Sequence, residues 1–387
     1  MEEMKKAVII TPFDNYSYRV RIKYVERYLI NRGYVVKVIS SDFDHRNKTS
    51  YTEKRNNLEL LHVPPYKKNL SYARIKSHVV FAKKVLGRLE KINPDLIYCS
   101  APPNSLFKFT SQYKKRKPNV KLIYELGDLW PETLPLQGII KKLAFPFLNV
   151  WATIRDKNIG FADGIIYECQ MFSDVVSKKH PGVHSDVIYL CKEDYYKGNF
   201  SLSEISQDSL RFAYVGSINN IIDIDLIVDF MKQISKKREV ELVVIGGGES
   251  ANRLFTLCDE SGVKYENHGI IYDEEKKHRI LCSCHFGLNI MKKSVAVGAT
   301  MKSLEYFQEG LIIINNIPYD SAMIIEMSNC GYNINKSSIN EIVESIVNLS
   351  ISNIREMRLR SRKVYCDLFS EEAVIEKLQQ MIIRCGG

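Results

Sequence analysis

A regular alternation of short apolar runs and amphipathic segments, along nearly the whole chain, is the feature that most constrains the fold. The apolar runs have the length of strands, and the segments between them, such as "YRVRIKYVERYLINRG", repeat apolar residues at helical spacing. Parallel strands need crossover connections that are usually helical, so the pattern predicts an α/β fold with parallel sheets flanked by helices. The predicted strands are "AVIITPF", "YVVKVISS", "LELLHVP", "DLIYCSA", "VKLIYEL" and "DGIIYEC" in the first half, then "LRFAYVG", "VELVVIGGG", "VKYENHG", "FGLNIM", "LIIINN" and "GYNIN" in the second.

Two domains are the simplest account of this series. A chain of 387 residues exceeds most single cores. The stretch "KEDYYKGNFSLSEISQDS", residues 192–209, is polar and without period, and it predicts a linker. We expect one doubly wound domain over residues 1–195 and a second over residues 196–365. A long helical segment ends the chain, and its residues 366–387 are expected to return to the first domain, leaving a cleft between the two.

Composition narrows the class of protein. Hydrophobic residues make up 45% and charged residues 26%, as in a folded globular protein. The beginning, "MEEMKKAVIITPF", lacks the features of a signal peptide, and no apolar patch reaches the length of a membrane span. Nine scattered cysteines do not suggest a disulfide framework, and Cys282 and Cys284 lack a second pair of zinc ligands. We therefore expect a cytoplasmic protein without a metal.

The net charge of +10, with basic runs such as "QYKKRKPNVK" in the first half, favours an anionic partner. A nucleotide diphosphate, a nucleic acid and an acidic membrane leaflet all fit this charge. A solvated, lysine-rich surface is the plainer explanation of any single run.

Two glycine-containing turns follow predicted strands of the second domain, where open parallel sheets bind ligands. "YVGSINN" places Gly216 and Ser217 after one strand, and "VIGGGESANRL" places three glycines after the next, at Gly246, Gly247 and Gly248. The glycines would either let a phosphate approach the backbone or form a tight turn, and the pattern alone favours neither. No G-x-G-x-x-G follows the first strand of the chain, which argues against a dinucleotide-dependent oxidoreductase.

A third candidate stretch is "VAVGATMKSLEYFQEGLIIINN", residues 295–316. A helix beginning near Thr300 would direct four N–H groups at an anion, those of Thr300, Met301, Lys302 and Ser303. Lys302 would add a full charge, and Glu305, one turn later, would accept hydrogen bonds from a sugar diol. An ordinary i,i+3 salt bridge between Lys302 and Glu305 is the alternative.

These stretches resemble a known family, the retaining, nucleotide-sugar-dependent glycosyltransferases of the GT-B fold, especially those that build bacterial capsules, exopolysaccharides and O-antigens. "MKSLEYFQEGLIIINN" resembles the family's Lys-x-x-Glu-Tyr-x-x-x-Gly stretch, "VIGGGESANRL" its glycine loop, and "YVGS" the opening of its second domain. "YELGDLWPETL" is similar to an Asp-x-Trp-Pro signature, and "FADGIIYEC" to the strand before the hinge. The resemblance implies two Rossmann-like domains facing a cleft, with the C-terminal helix packed on the first.

The resemblance also implies an activity, the transfer of a hexose from a nucleoside-diphosphate sugar to a saccharide or lipid-linked saccharide, with retention and without a metal or other cofactor. The second domain would bind the donor, with Glu305 on the ribose, Lys302 and the neighbouring N–H groups on the diphosphate, and the glycines lining the pocket. Lys302 would stabilise the departing diphosphate, and Asp128 would either position the acceptor hydroxyl or only cap a loop. The implied acceptor-binding residues are Tyr18, Arg19, Arg21, Glu125, Trp130 and Glu132.

A membrane contact is expected on the same grounds. The acceptor is expected at the inner leaflet, where surface lysines and arginines would favour peripheral binding. "GIIKKLAFPFLNVWATIRDK" would lie in the interface with Phe145, Phe147 and Trp151 as anchors. A buried helix between the domains is the alternative.

The sequence departs from the family at several positions. Ser217 and Ile222 stand where a paired Arg and Lys are usual, Val297 stands at the first glutamate of Glu-x7-Glu, and the usual first-domain histidine has no counterpart near Asp128. These departures motivate a second hypothesis, a non-catalytic GT-B partner of another transferase. A nucleotide-sugar 2-epimerase is a third hypothesis, although it needs further carboxylates and a histidine. Nucleic-acid binding comes last, and we expect no nucleic acid among the partners.

Overall fold

The computed structural model describes residues 4–13, 21–134, 136, 138–202 and 209–387. Tyr18 and Arg19 therefore lie outside the described residues. The chain divides into two compact units, one formed by Met1–Leu190 with Val374–Gly387, the other by Cys191–Ala373. Each unit contains a parallel sheet with helices, and the predicted α/β class is confirmed.

The first unit is built on a seven-stranded sheet of order β5-β2-β1-β6-β7-β8-β9, in which every pair is parallel. Buried aliphatic and aromatic runs such as "AVII" form its central strands, as expected for a sheet covered on both faces. A small antiparallel pair, β3 with β4, lies outside it. The strands are Lys6–Ile10 (β1), Val35–Ser41 (β2), Phe43–Asp44 (β3), Thr49–Ser50 (β4), Leu58–Leu61 (β5), Leu96–Ala101 (β6), Lys121–Leu126 (β7), Gly164–Tyr167 (β8) and His184–Val187 (β9).

Helices connect these strands as crossovers. They are Ile22–Asn31 (α1), Tyr72–Ile92 (α2), Ser105–Arg116 (α3), Gly138–Ile159 (α4) and Gln170–Val176 (α5), with a short 3₁₀ turn at Ser177–Lys179. The crossover through α1 runs from β1 to β2, whereas that through α2 runs from β5 to β6, in the opposite direction across the sheet. Because such crossovers are right-handed, α1 and α2 cover opposite faces.

The second unit is built on a six-stranded parallel sheet of order β12-β11-β10-β13-β14-β15. Phe212 and Phe286 stack across adjacent strands in its core, with ring centroids 4.5 Å apart. The strands are Leu210–Ser217 (β10), Val240–Gly247 (β11), Lys264–Asn267 (β12), Phe286–Asn289 (β13), Ile312–Asn315 (β14) and Gly331–Asn333 (β15).

Most helices of the second unit begin where the sequence supplies a capping side chain. Asp223 caps the first of them by accepting the N–H of Leu226 at 3.2 Å, and Asp273 caps the third through the N–H of Lys276 at 2.9 Å. The helices are Ile224–Ser235 (α6), Ala251–Ser261 (α7), Glu274–Leu281 (α8), Met301–Gln308 (α9), Asp320–Ser328 (α10), Ile339–Val347 (α11) and Ile351–Val364 (α12).

The chain's last helical segment, predicted as continuous, is interrupted. A π-helical turn, Tyr365–Phe369, follows α12, and Ser370 is extended (φ −69°, ψ 156°). The Ser370 hydroxyl accepts the N–H of Ala373 at 3.2 Å, so it caps a new helix, Glu371–Arg384 (α13). Most of α13 belongs to the first unit, where a Cβ at Gly164 would lie 2.4 Å from Cys385 Sγ.

The polar stretch predicted as a linker is structured in its first part. Asp194 forms an ion pair with Arg362 at 2.7 Å, and the Tyr196 hydroxyl donates to Glu309 at 2.8 Å. The Arg362 guanidinium also lies 5.0 Å from the centroid of the Tyr196 ring. Residues 192–200 thus contribute side chains to the second unit.

Candidate functional site

Helix α9 begins at the carboxyl end of β13, and its start follows from two hydrogen bonds of Thr300. The Thr300 hydroxyl accepts the N–H of Ser303 at 3.3 Å and donates to Asn289 Oδ1, at the end of β13, at 2.8 Å. The capping bond uses the N–H of Ser303, one of the four groups predicted to face an anion. The N–H groups of Thr300, Met301 and Lys302 donate to none of the described residues.

Lys302 lies directly after this start with its ammonium group buried. Its Nζ has no hydrogen-bond partner within the described part of the chain and lies 4.8 Å from the centroid of the Tyr214 ring. The Tyr214 hydroxyl donates at 2.9 Å to the carbonyl of Ser217, so the ammonium is next to the carboxyl end of β10. Burial lowers the pKa of Lys302 to about 8. Burying a cation that has no hydrogen-bond partner costs free energy, and a bound anion would reduce that cost.

Glu305 does not pair with Lys302, so the i,i+3 salt bridge is not formed. Its Oε1 instead lies 3.1 Å from Lys277 Nζ and 3.4 Å from Lys192 Nζ. Both lysines also contact Glu274, at 2.8 and 2.9 Å. The second oxygen, Glu305 Oε2, is buried and has no hydrogen-bond partner in the described structure. One oxygen is therefore fixed by two cations while the other is left to accept a hydrogen bond.

The pKa of Lys277 reflects this cluster. Burial acts to lower the pKa, but the carboxylates of Glu305 and Glu274 outweigh burial, and the pKa is raised. Lys277 therefore keeps its charge and holds the Glu305 carboxylate in place.

Close packing explains two of the predicted glycines. A Cβ at Gly246 would lie 1.9 Å from the carbonyl oxygen of Gly216 on the neighbouring strand, and one at Gly248 would lie 2.5 Å from that of Ile218. Gly216 differs, since it has φ +113° and a Cβ there would meet open space. The close approach of β10 and the residue that follows it thus accounts for Gly246 and Gly248, whereas Gly216 leaves room beside the exposed Ser217.

In the first unit, an open cavity of about 360 Å³ lies at the carboxyl ends of β6, β7 and β8. Two predicted residues on its wall pair with each other: Arg21 Nη1 lies 3.2 Å from Glu125 Oε1, and both side chains are buried. The Tyr98 hydroxyl donates to the other Glu125 oxygen at 2.8 Å. The cavity is lined by Thr11, Pro12, Phe13, Arg21, Ile22, His45, Arg74, Ser100, Ala101, Pro102, Glu125, Gly127, Asp128, Trp130, Glu168 and Leu190.

Asp128 lines the cavity and also caps its own loop. Its Oδ1 accepts the N–H of Leu129 at 2.8 Å and the hydroxyl of Thr133. Burial raises the pKa of Asp128 even though these hydrogen bonds favour the charged form. The capping interpretation is correct, and the carboxyl still faces the cavity.

Glu168 follows β8 at the same end of the sheet. Burial raises its pKa to about 8, because the opposing effect of Arg21 is smaller and Glu125 adds to burial. The cavity therefore contains a carboxyl group that is largely protonated at neutral pH.

The remaining acceptor predictions fall in different places. Glu132 forms a two-pronged ion pair with the buried Arg155, with contacts of 2.7 and 2.8 Å, and does not line the cavity. Trp130 does line it, with the Arg74 guanidinium 4.4 Å from its ring centroid. The His78 ring stacks against Trp130 with centroids 6.1 Å apart.

Three solved structures are similar to the chain over nearly its whole length. Sucrose-phosphate synthase from Thermosynechococcus elongatus is 13% identical, with a TM-score of 0.67 and 98% of each chain covered. HepE from Anabaena, solved with UDP, is 13% identical, with a TM-score of 0.65 and coverage of 98% of this chain and 100% of that chain. The lipopolysaccharide outer core galactosyltransferase WaaB is 14% identical, with a TM-score of 0.66 and coverage of 98% and 99%.

The fold is GT-B. This confirms the fold class that the sequence motifs implied. No family model matches the sequence, and no curated protein matches it.

Two further positions of this GT-B fold that the sequence analysis named, Ser217 and Ile222, lie in different surroundings. Ser217 is exposed at the end of β10, and Ile222 is buried in the core of the second unit. Lys192 and Lys277 bring positive charge near α9 instead, from the polar stretch and from α8. The motif comparison did not identify either lysine.

The first unit of this GT-B chain also contains site residues that the sequence did not reveal. His45, Arg74 and Glu168 line the same cavity as Asp128. Glu168 could have been found, since it follows β8, which is adjacent to β7 in the sheet. Arg74 is inside α2 and His45 follows a two-residue strand, so neither position carries such a signal.

The described residues include neither a cluster of metal ligands nor a membrane-spanning helix. They contain no group of three or more His, Cys, Asp or Glu side chains arranged to hold a metal ion. No helix among them combines the length and the apolar character needed to cross a bilayer.

Proposed function

We propose that this chain is a glycosyltransferase that takes a nucleoside-diphosphate sugar as its donor. The single observation that carries the proposal is the buried, unpartnered ammonium of Lys302 at the first turn of α9. Three free N–H groups precede or accompany it, and the dipole of the helix favours an anion at the same end. A diphosphate would satisfy the ammonium and these N–H groups together.

Glu305 would bind the ribose of the same nucleotide. Its Oε2 is an unused acceptor in a buried position, and a ribose hydroxyl is a suitable donor. Lys192 and Lys277 hold the other oxygen, so the carboxylate would be oriented before the nucleotide arrives. HepE, which has this fold, was solved with UDP and with UDP-glucose, and uridine is therefore the first base to test.

Cleavage of the donor would be assisted by charge rather than by a metal. As the bond between sugar and diphosphate breaks, negative charge grows on the leaving oxygen, and Lys302 with the α9 N–H groups would stabilise it. We propose that the sugar is transferred with retention of its anomeric configuration. Analysis of the product by NMR spectroscopy tests retention directly.

The acceptor would occupy the cavity of the first unit. Asp128 and Glu168 present carboxyl groups there that would accept or donate hydrogen bonds to sugar hydroxyls. We propose a saccharide or a lipid-linked saccharide of bacterial surface polysaccharide synthesis as the acceptor. WaaB, a galactosyltransferase of the lipopolysaccharide outer core, has the same fold and supports this direction.

The protein would work in the cytoplasm, at the inner leaflet of the membrane. Five large apolar side chains of α4 are each more than half exposed: Ile139, Leu143, Phe145, Phe147 and Val150. The alternative of a buried helix does not hold for these side chains. Ile139, Leu143, Phe147 and Val150 share one face of α4, whereas Phe145 lies on the opposite side, and an apolar face of this kind suits a lipid interface. The nine cysteines form no disulfide, which fits a reducing compartment.

Calorimetric titration with UDP, GDP, CDP and dTDP tests the donor site. We expect one nucleotide to bind the wild type, and its affinity to fall at least tenfold in Lys302→Met and in Glu305→Gln. Lys232→Met, an exposed lysine of α6, is the matched control and should bind like the wild type. Failure of all four nucleotides to bind would overturn the donor-site proposal.

A non-catalytic role remains a second candidate, because Ser217 and Ile222 replace the cations that active relatives usually carry. Nucleotide binding with no transfer and no hydrolysis of the matching sugar donor would favour it. Turnover that is lost in Lys302→Met would exclude it.

A further inference from the structure

Arg74 lines the cavity of the first unit without a carboxylate partner. Arg74 is 9% exposed, and its guanidinium carbon lies 4.4 Å from the centroid of the Trp130 ring. Nη1 donates to the carbonyl of Asn69 at 3.0 Å, whereas Nε is buried and has no hydrogen-bond partner in the described structure. Tyr66 also hydrogen-bonds the Arg74 side chain, and Arg74 lines the cavity, so its positive charge acts on whatever enters there.

The other buried arginines of this unit show the contrast. Arg21, on the same wall, is paired with Glu125 at 3.2 Å. Arg155 is paired with Glu132 at 2.7 Å. No carboxylate among the described residues lies within ion-pair distance of Arg74, although the charge of Asp128 acts to raise the Arg74 pKa against the effect of burial. An anion entering the cavity would therefore be its first ion-pair partner.

A second, apolar cavity, which we call the slot, is lined by Ile75, the residue that follows Arg74 in α2. It runs between α2 and α4, and its walls are almost entirely hydrocarbon. The Trp130 ring, which lines the polar cavity, has its centroid 6.1 Å from that of His78 and 5.8 Å from that of Trp151, and both of these line the slot, so the two hollows lie on either side of Trp130. The side chains of α2 and α4 that line the slot include Ile75, Val79, Phe147, Val150, Trp151 and Ile154.

We propose that the first unit binds an amphiphilic acceptor, with a phosphate or carboxylate oxyanion on Arg74 and the adjoining hydrocarbon chain in the slot between α2 and α4. This inference rests on the proposed transferase function and specifies its second substrate. A guanidinium N–H group donates a charge-assisted hydrogen bond to a phosphate or carboxylate oxygen, and removal from water strengthens the contact. Asp128 and Glu168 would meet the hydroxyls of the same molecule rather than its anion.

A ligand with a charged head and a hydrocarbon chain would fill both the polar cavity and the apolar slot. Each methylene group that leaves water contributes roughly 0.8 kcal/mol, so a few carbons in the slot would add appreciably to affinity. The exposed face of α4 continues from the slot, since Phe147 and Val150 belong to both. A chain leaving the slot would therefore meet an apolar surface.

The chain contains only two tryptophans, which makes the test direct. Trp130 contacts Arg74, and Trp151 lines the slot, so intrinsic fluorescence reports on both parts. Farnesyl phosphate, farnesol and inorganic phosphate are titrated against the wild type below the micelle concentration. Farnesyl phosphate is expected to bind at least tenfold more tightly than either fragment.

Two substitutions test the oxyanion contact and the hydrocarbon contact separately. Arg74→Gln should weaken farnesyl phosphate at least tenfold, and Val150→Glu, at a 61% exposed position, should weaken it at least fivefold. The controls are Arg27→Gln and Ile30→Glu, exposed positions of α1 on the opposite face of the sheet, and they should leave affinity unchanged. Thermal unfolding midpoints verify that each variant is folded.

Unchanged affinity in Arg74→Gln would overturn the oxyanion contact, and equal affinity for inorganic phosphate and farnesyl phosphate would overturn the slot. Nucleotide titration of the same samples keeps the two proposals apart. Arg74→Gln should bind nucleotide like the wild type. A wild type that binds farnesyl phosphate but no nucleotide would support this inference while sinking the transferase proposal.

Discussion

The buried ammonium group of Lys302 lowers the stability of the folded protein. Its pKa falls from the usual 10.5 to about 8, so between these values the unfolded chain binds a proton that the folded chain releases. Stability is therefore lost as pH falls from 10.5 to 8, and the loss below pH 8 is constant at about 3 kcal/mol.

Replacing this lysine should stabilise the free protein. We expect Lys302→Met to raise the free energy of unfolding at pH 7 by roughly 1–3 kcal/mol while it weakens nucleotide binding at least tenfold. Urea unfolding at pH 7, paired with calorimetric titration, measures both quantities. Lys232→Met is the control, and a Lys302→Met protein less stable than the wild type would show that the ammonium has a partner in solution.

The same lowered pKa predicts proton uptake on binding. At pH 8 about half of the Lys302 side chains are neutral, and a bound diphosphate would hold them all protonated, so binding should take up about half a proton. At pH 6.5 the uptake by this group should be close to zero. Titrations in two buffers of different ionisation enthalpy measure it.

Lys302→Arg is the matched variant for this measurement, because arginine stays charged at both pH values. It should remove the uptake and retain binding. An uptake at pH 8 that persists in Lys302→Arg would assign the proton to another group.

The sequence could predict Lys302 and Glu305 as candidates because both belong to the first turns of one helix after a strand. Their spacing alone places them near the start of that helix. It could not predict Lys277 or Arg74, since their positions depend on where α8 and α2 pack. The unpaired Glu305 oxygen and the pairing of Glu132 with Arg155 likewise depend on long-range packing. The local sequence pattern indicated where the candidate donor site lies, but only the tertiary structure showed which charged side chains form ion pairs.

At the scale of elements, an asparagine ladder joins three strand ends to the start of α9. Asn289 donates to Asn315 at 2.9 Å, and Asn315 donates to Asn333 at 2.8 Å, so β13, β14 and β15 are linked at their carboxyl ends. Thr300 connects this ladder to the helix through Asn289. The position of the free N–H groups of α9 therefore depends on one hydroxyl.

Removing that hydroxyl should cost stability and binding together. Thr300→Val keeps the shape but loses the cap and the bond to Asn289, and we expect the free energy of unfolding to fall by about 1–2 kcal/mol. Nucleotide affinity should fall with it, because the start of α9 loosens. Urea unfolding and calorimetry measure these effects.

Thr300→Ser retains the hydroxyl and should stay near the wild type in both measurements. Equal stability of the valine and serine variants would show that the cap contributes nothing.

The elements themselves were largely predictable, for a physical reason. Strands buried on both faces, such as β1 and β11, are apolar over their buried central residues, and these runs are visible in the sequence. β9, an edge strand with the pattern "HSDV", carries no such signal. The break in the last helical segment was also missed, although Ser370 followed by Glu371 and Glu372 is a helix-start signal that the sequence carries.

At the scale of the whole molecule, the first unit is assembled from two distant segments. Gly164 on β8 is covered by α13, and a Cβ there would lie 2.4 Å from Cys385 Sγ and 3.2 Å from Met381 Sδ. Gly164→Ala should therefore push α13 outward and destabilise the unit by about 1–3 kcal/mol. Hydrogen exchange of residues 374–387 should speed up accordingly.

Gly182→Ala is the matched control, since a Cβ at Gly182 meets open space. It should leave both stability and exchange unchanged. Unaltered exchange of α13 in Gly164→Ala would show that the helix does not rest on β8 in solution.

The discontinuous first unit also sets an order of events at the ribosome. The nascent chain presents Met1–Leu190 first, then all of Cys191–Ala373, and only afterwards Val374–Gly387. Until that last segment emerges, β8 lacks its cover, and the apolar surface meant for Met381 is exposed. The second unit can complete its own sheet during this interval, so translation would deliver a finished second unit while the first unit is still open.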